Sequence, residues 1–219
     1  MPARRWITRL HSLTGIVPLL GFLVLHTWET ASATGGRERF MLRVLGARGG
    51  LLAVALEVVL ILVPLVLHAG LGVCRARHDG HGRRYVDRSS RWIQWLTGVL
   101  VLGFISVHLA HTWMAKLGGL GPFGLYEALR TDLPRPAYLG VYVVGLTALS
   151  LHLAQGIGAF AVTWGLAPTE RRRRAWRWGG GLLAVALWVA SLNTTAHFAT
   201  GRAPLFQVEP LLPEAAAGP

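Results

Sequence analysis

Four histidines lie inside long apolar runs, one to a run: His26, His68, His108 and His152. Imidazole is a general ligand for transition metals and a proton carrier near neutral pH. One acid, Glu57, precedes His68 by eleven residues, about three helical turns, which puts the two on one face of a helix. An ionisable side chain in hydrocarbon costs at least a few kcal/mol, so each is a candidate functional group. The chemistry open to them is metal ligation, proton transfer and hydrogen bonding to a polar ligand.

The apolar runs must position these groups. Leu51–Cys74 is long enough, at about 1.5 Å rise per residue, to cross the roughly 30 Å hydrocarbon core. With similar runs it predicts an all-α membrane protein, a five-transmembrane-helix bundle with helices at about 12–30, 51–74, 92–115, 137–164 and 179–198. Residues 1–198 form one domain and 199–219, rich in Ala and Pro, read as an unstructured tail. A short surface helix is expected at Tyr126–Thr131, between glycines and prolines. Ala31-Ser32-Ala33 has the small-residue form of a signal-peptidase site, but the apolar stretch before it is long for a signal peptide and carries His26, so it is kept as the first helix.

Composition excludes other classes. Hydrophobic residues make up 53% of the 219 and charged residues 15%, with a mean hydropathy of +0.45, too little polar surface for a soluble domain. The net charge is +12 and the pI near 11.5, yet the arginines cluster between apolar runs, which argues against nucleic-acid binding and for contact with anionic lipid. The single cysteine, Cys74, rules out an intrachain disulfide and any multi-cysteine metal site. Tryptophans near the run ends, such as Trp6, Trp28, Trp92, Trp113, Trp164 and Trp178, fit interfacial belts.

Counting cations sets the orientation. Arg4, Arg5, Arg9, Arg75, Arg77, Arg83, Arg84, Arg88, Arg91, Arg171, Arg172, Arg173, Arg174 and Arg177 fall on one side; Arg37, Arg39, Arg43, Arg48, Lys116, Arg130, Arg135 and Arg202 fall on the other. The positive-inside rule then places the N-terminus in the cytoplasm and the C-terminus outside. His26 and His108 share an outer level, and His68 and His152 an inner one. Two levels of paired histidines are what two stacked bis-histidine haems b require, each iron taking one imidazole from either side. Gly15, Gly72, Gly145 and Gly156 fall near those levels, where a ring would need room. The competing reading of the glycines is ordinary small-residue helix packing.

The Arg9–Gly15 segment, Leu56-Glu57 through Pro64-Leu65 to His68-Ala69, Gly98–His108 and Phe160–Gly165 resemble the cytochrome b subunit of succinate dehydrogenases and fumarate reductases, in its class with one five-helix anchor. The resemblance covers most of the chain from Arg9 to about Trp164 and weakens after it. It implies that His68 and His152 hold an inner haem b, and His26 and His108 an outer one. It also implies electron transfer between quinone, more often menaquinone in this class, and separate flavoprotein and iron–sulphur subunits, in the cytoplasmic membrane of a prokaryote. Succinate chemistry would belong to those partners, because no glycine-rich dinucleotide fingerprint is present here.

The remaining candidates keep two readings each. Glu57 either handles a proton or quinone near the outer level, or is a protonated acid bonded to a neighbouring helix. His11 and Ser12, at the start of the first helix, either bond an inner haem propionate or simply begin a solvated helix. His111, three residues after His108, is an alternative ligand closer to the outer interface. His78 and His81 read as solvated, and His197 as interfacial. Outside this family, a dihaem cytochrome b of hydrogenase or formate dehydrogenase type would use the same histidines, and a haem-free transporter would use them as a proton or metal path.

Overall fold

The computed structural model describes residues 2–47, 55–78, 88–117 and 121–210. Most of those residues are helical and none is in a strand, and five helices are long and apolar enough to cross a membrane. In chain order the elements are α1 (Arg5–Gly35), α2 (Arg37–Ala47), α3 (Ala55–Arg75), α4 (Arg91–Met114), α5 (Gly121–Asp132), α6 (Pro136–Thr163) and α7 (Glu170–Thr200); α2 and α5 are the two short ones. His81, the expected start of the second span at 51–54, and residues 211–219 lie outside the described residues.

Local chemistry explains the element ends. α6 starts on Pro136, whose fixed φ suits the first helical position, after an extended Arg135. α7 starts at Thr169, whose hydroxyl accepts from Arg172 N at 3.3 Å, and ends at Gly201 in the left-handed conformation, φ 79°. That N-cap carries the helix through Arg171–Arg174, which the sequence leads one to read as a loop. Long arginine stems let the charged heads leave the lipid while the backbone stays helical.

Two spans are not regular α-helix throughout. α1 widens to π-helix over Gly15–Leu20, around Pro18, and α3 is π-helical over Val58–Leu62, just before Pro64. Proline lacks an N–H and crowds the carbonyl four residues back, and a wider turn relieves both. A count at 3.6 residues per turn therefore does not hold between Glu57 and His68, which the α3 π-turn separates. The expectation that they share one face is withdrawn on that ground.

Packing is uneven along the bundle. α6 lies against α7 and α4, and α1 against α3 and α7. The largest buried cluster sits at one end, where Ala33 of α1, Phe40 and Val44 of α2, Tyr126 and Leu129 of α5, Leu133, and Phe198 of α7 close over Phe104 and Tyr142. We call this the capped end. A smaller cluster, Leu153, Ile157 and Ala184, joins α6 to α7 at mid-span, with Leu20 and Leu23 of α1 against it. α3 by contrast has no buried residue among those described.

Ser32–Gly35 and α2, the more polar residues after the first apolar run, are part of the cap. Ser32–Gly35 turn as a buried 3-10 segment, and α2 is amphipathic helix laid beneath α5. A peptidase needs an accessible segment at Ala31-Ser32-Ala33, whereas Ala33 is fully buried. The tail also differs from expectation as far as Pro210. Leu205 N donates to Asn193 Oδ1 at 2.9 Å, Asn193 Nδ2 donates to Phe206 O at 2.8 Å, and Val208 N donates to Thr34 Oγ1 at 3.0 Å. Buried Asn193 and Thr34 need partners, and the strap supplies them.

Candidate functional site

The histidines of the four spans stand as two pairs. His26 of α1 and His108 of α4 lie near the capped end, ring centres 5.9 Å apart and 76° between planes. His68 of α3 and His152 of α6 lie toward the arginine-rich end, 6.2 Å apart at 86°. A metal held at about 2 Å by one nitrogen from each imidazole spaces ring centres by roughly 6 Å. Both separations fit that bridge. All four rings are half-buried, and each pair joins helices that are not sequence neighbours.

The nitrogen facing away from a bridged metal needs a hydrogen bond to fix the tautomer. His68 Nδ1 donates to the carbonyl of His11 at 2.9 Å, a partner that can only accept. His152 Nδ1 lies 3.3 Å from Thr97 Oγ1. The Thr97 hydroxyl spends its own proton on Ile93 O at 2.7 Å, so its oxygen accepts from the imidazole. His108 Nδ1 meets the Tyr142 hydroxyl at 3.0 Å. In His68 and His152, Nε2 is thereby left free toward a metal, and in His108 it is left so when the Tyr142 hydroxyl accepts.

His11 is more intimately placed than a propionate contact would need. Its ring stacks on that of His68, centres 4.1 Å apart at 15°, and its Nδ1 donates to His68 O at 3.0 Å. Two reciprocal side-chain-to-backbone bonds thus clasp α1 to α3. Ser12 receives the Trp164 indole N–H at 3.1 Å, tying α1 to the end of α6. Gly15 makes the clasp feasible: a methyl there would lie 2.8 Å from His68 Nδ1. Of the other glycines, Gly72 faces His11, Gly145 faces Phe104 and Gly156 has open space beside it.

His111 is turned away from the pair at the capped end. Its Nε2 donates to Asp132 Oδ2 at 2.8 Å, and its ring lies against Tyr138. Glu57 is half-buried at the start of the α3 π-turn. His197 is buried and accepts from Tyr126 Oη at 3.1 Å, while Arg130 donates to the carbonyls of His197 and Phe198 at 2.8 and 3.0 Å and so caps α7. Burial raises the Tyr126 phenol above its ordinary pKa, which keeps it a neutral donor there. Thr97, Tyr142, Gln94 and Asp132 were not signalled by the sequence. Gln94 Nε2 donates to His152 O at 3.3 Å, a second hold on that residue.

Chemically, the arrangement offers one cross-span pair of imidazoles at each level, with the His11 ring stacked on His68 of one pair. No group of three or more His, Cys, Asp or Glu side chains converges among the described residues. A metal centre at either pair would draw two imidazoles from the protein and would need its remaining ligands from another source, such as a macrocycle.

The chain is 31% identical, over 196 residues, to the succinate dehydrogenase cytochrome b558 subunit of Bacillus subtilis (strain 168), an alignment covering 88% of this chain and 96% of that protein. No family model matches, and no solved structure matches.

Proposed function

The chain belongs to the family of succinate dehydrogenase cytochrome b subunits, and from that premise we propose that it carries electrons between a quinone and the soluble part of such a complex through two haems b. The observation that supports this reading is the pair of cross-span histidine pairs, 5.9 and 6.2 Å between ring centres, with Nδ1 held in His68, His108 and His152. His26 and His108 would hold the haem at the capped end, and His68 and His152 the one at the arginine-rich end. When bound, haem b accepts and passes on single electrons, and the protein sets spacing, tautomer and dielectric around it.

The chain's own residues do the rest. Thr97, Gln94 and the His11 carbonyl hold the arginine-end ligands in orientation, and Tyr142 holds one ligand at the capped end. The arginine-rich end faces the cytoplasm and docks an iron–sulphur subunit, behind which a flavoprotein oxidises succinate. The quinone, menaquinone by resemblance, reacts near the capped end, where Glu57 is the candidate to bond it or pass it a proton. The setting is the cytoplasmic membrane of a prokaryote.

The test is a reduced-minus-oxidised spectrum with haem quantification on the purified complex and on variants of the four histidines. Two haems b per chain are expected, with substitutions of His26 or His108 removing one and those of His68 or His152 removing the other. A folded wild-type chain without haem would overturn the reading.

A further inference from the structure

The short helix laid over the capped end carries two cations that the cap leaves without a carboxylate. On α2, Phe40, Met41 and Val44 are buried against the bundle, and Arg37 on one flank pairs with Glu127 of α5 at 3.4 Å. Arg39 and Arg43 lie one turn apart on the other flank. Among the described residues no carboxylate pairs with either of them. Glu38 stands about 100° round the helix from Arg39, toward its exposed side.

Both arginines are nevertheless held. The Arg43 guanidinium lies 3.9 Å from the centre of the Trp28 ring of α1. Stacking uses the face of a guanidinium and leaves its in-plane N–H groups for an anion beside it. Arg39 runs over Gly35, where a methyl would lie 2.8 Å from Arg39 Cδ and 2.8 Å from Val208 O of the strap, and its Nε is buried. Ordering long side chains costs entropy, and two cations confined together call for a counter-charge from outside the chain.

Deeper than Arg43, the surface of α1 is apolar and open. Leu25 and Trp28 are 60% and 57% exposed, Val24 is exposed beside them, and Gly21, a turn further in, has open space next to it. These four lie on one face of regular α-helix within a span. A small free anion makes no use of such a track, whereas an acyl chain lies along it.

We propose that this flank of α2 and the adjoining end of α1 bind one anionic phospholipid of the leaflet at the capped end, its phosphate between Arg39 and Arg43 and an acyl chain along Trp28, Leu25 and Gly21. General attraction of a basic chain to anionic lipid spreads over every exposed cation; this site is confined to one pair. It depends on neither haem nor quinone.

Native mass spectrometry of the purified complex, titrated in detergent with phosphatidylglycerol or phosphatidylcholine, tests this. The wild type should bind phosphatidylglycerol on the order of tenfold more tightly, about what one charge-assisted hydrogen bond contributes. R39Q/R43Q should lose one bound phosphatidylglycerol, and R37Q, whose cation already has its carboxylate, should lose none. R39K/R43K keeps both charges without the forked donors and should bind that lipid with intermediate affinity; it decides the matter where the glutamine variant fails to assemble. Equal affinity for the two lipids in the wild type, or wild-type phosphatidylglycerol binding by the double variants, would overturn the proposal. So would displacement of the lipid by an equal concentration of inorganic phosphate, since the acyl chain would then contribute nothing.

Discussion

Three of the four histidines proposed as ligands, His68, His108 and His152, hold Nδ1 against a neighbour of ordinary chemistry. A hydroxyl bonded to the outer nitrogen of a metal-bound imidazole fixes its ring and raises its basicity, and losing such a partner costs roughly 10- to 100-fold in metal affinity. Tyr142→Phe is therefore expected to weaken or shift the haem held by His108 and leave the other unchanged. Thr97→Val should do the converse through His152. Redox titration with haem quantification distinguishes the two, and equal effects on both haems would contradict the assignment. The four histidines were legible as candidates because an ionisable side chain in an apolar run is costly, and the structure sets them in two cross-span pairs. Their partners were not. Threonine in a membrane helix commonly bonds its own i−4 carbonyl, as Thr97 does to Ile93, and a tyrosine reads equally well as an interfacial residue.

At the scale of elements, hydropathy and charge placed the five spans, and the structure has the same five. The π-turns were not placed, because proline in a membrane helix announces a disturbance without saying how the freed backbone is accommodated. The cap was only partly seen: the short helix expected at Tyr126–Thr131 lies within α5, although its Tyr126 and Leu129 are buried rather than on the surface, while α2 was missed. α2 and α5 are short and amphipathic, with their apolar residues spaced to cover one another rather than to enter lipid. Close approach of α1 and α3 rests on a missing side chain at Gly15, so Gly15→Ala drives a methyl against the His68 ring. That variant should lose the haem at the arginine-rich end while keeping the other, as read by the reduced spectrum. Retention of both haems would show that the clasp yields without harm to the ligand.

The whole molecule is asymmetric along its long axis, firmly packed at the cap and thinly packed elsewhere. The strap to Pro210 adds to that asymmetry, because it completes Asn193 and Thr34 at the same end. Truncation after Gly201 removes the strap partners of buried Asn193, at about 1–3 kcal/mol, while Thr34 keeps its bond to Ala31 O. It should lower the thermal midpoint and release the His26-bearing end of α1 first, which hydrogen exchange at that end would reveal. Unchanged exchange there would show the strap to be dispensable. Topology belongs to this scale too: reporters fused after residue 78 and after residue 117 should read cytoplasmic and external respectively, as the arginine asymmetry demands.

α3 carries a further consequence. It contributes His68, yet none of its described residues is buried, and its main hold within the chain is α1. Such a helix gains little from its own chain, so binding that bridges it to α6 adds a large share of its attachment. Synthesis and survival are then linked through prosthetic-group supply. In cells starved of haem, pulse-chase labelling should show a shortened lifetime for the newly inserted chain, with the first cuts bordering α3; an unaltered lifetime would refute this. The same looseness that admits a large planar ring would mark an unfinished copy for removal.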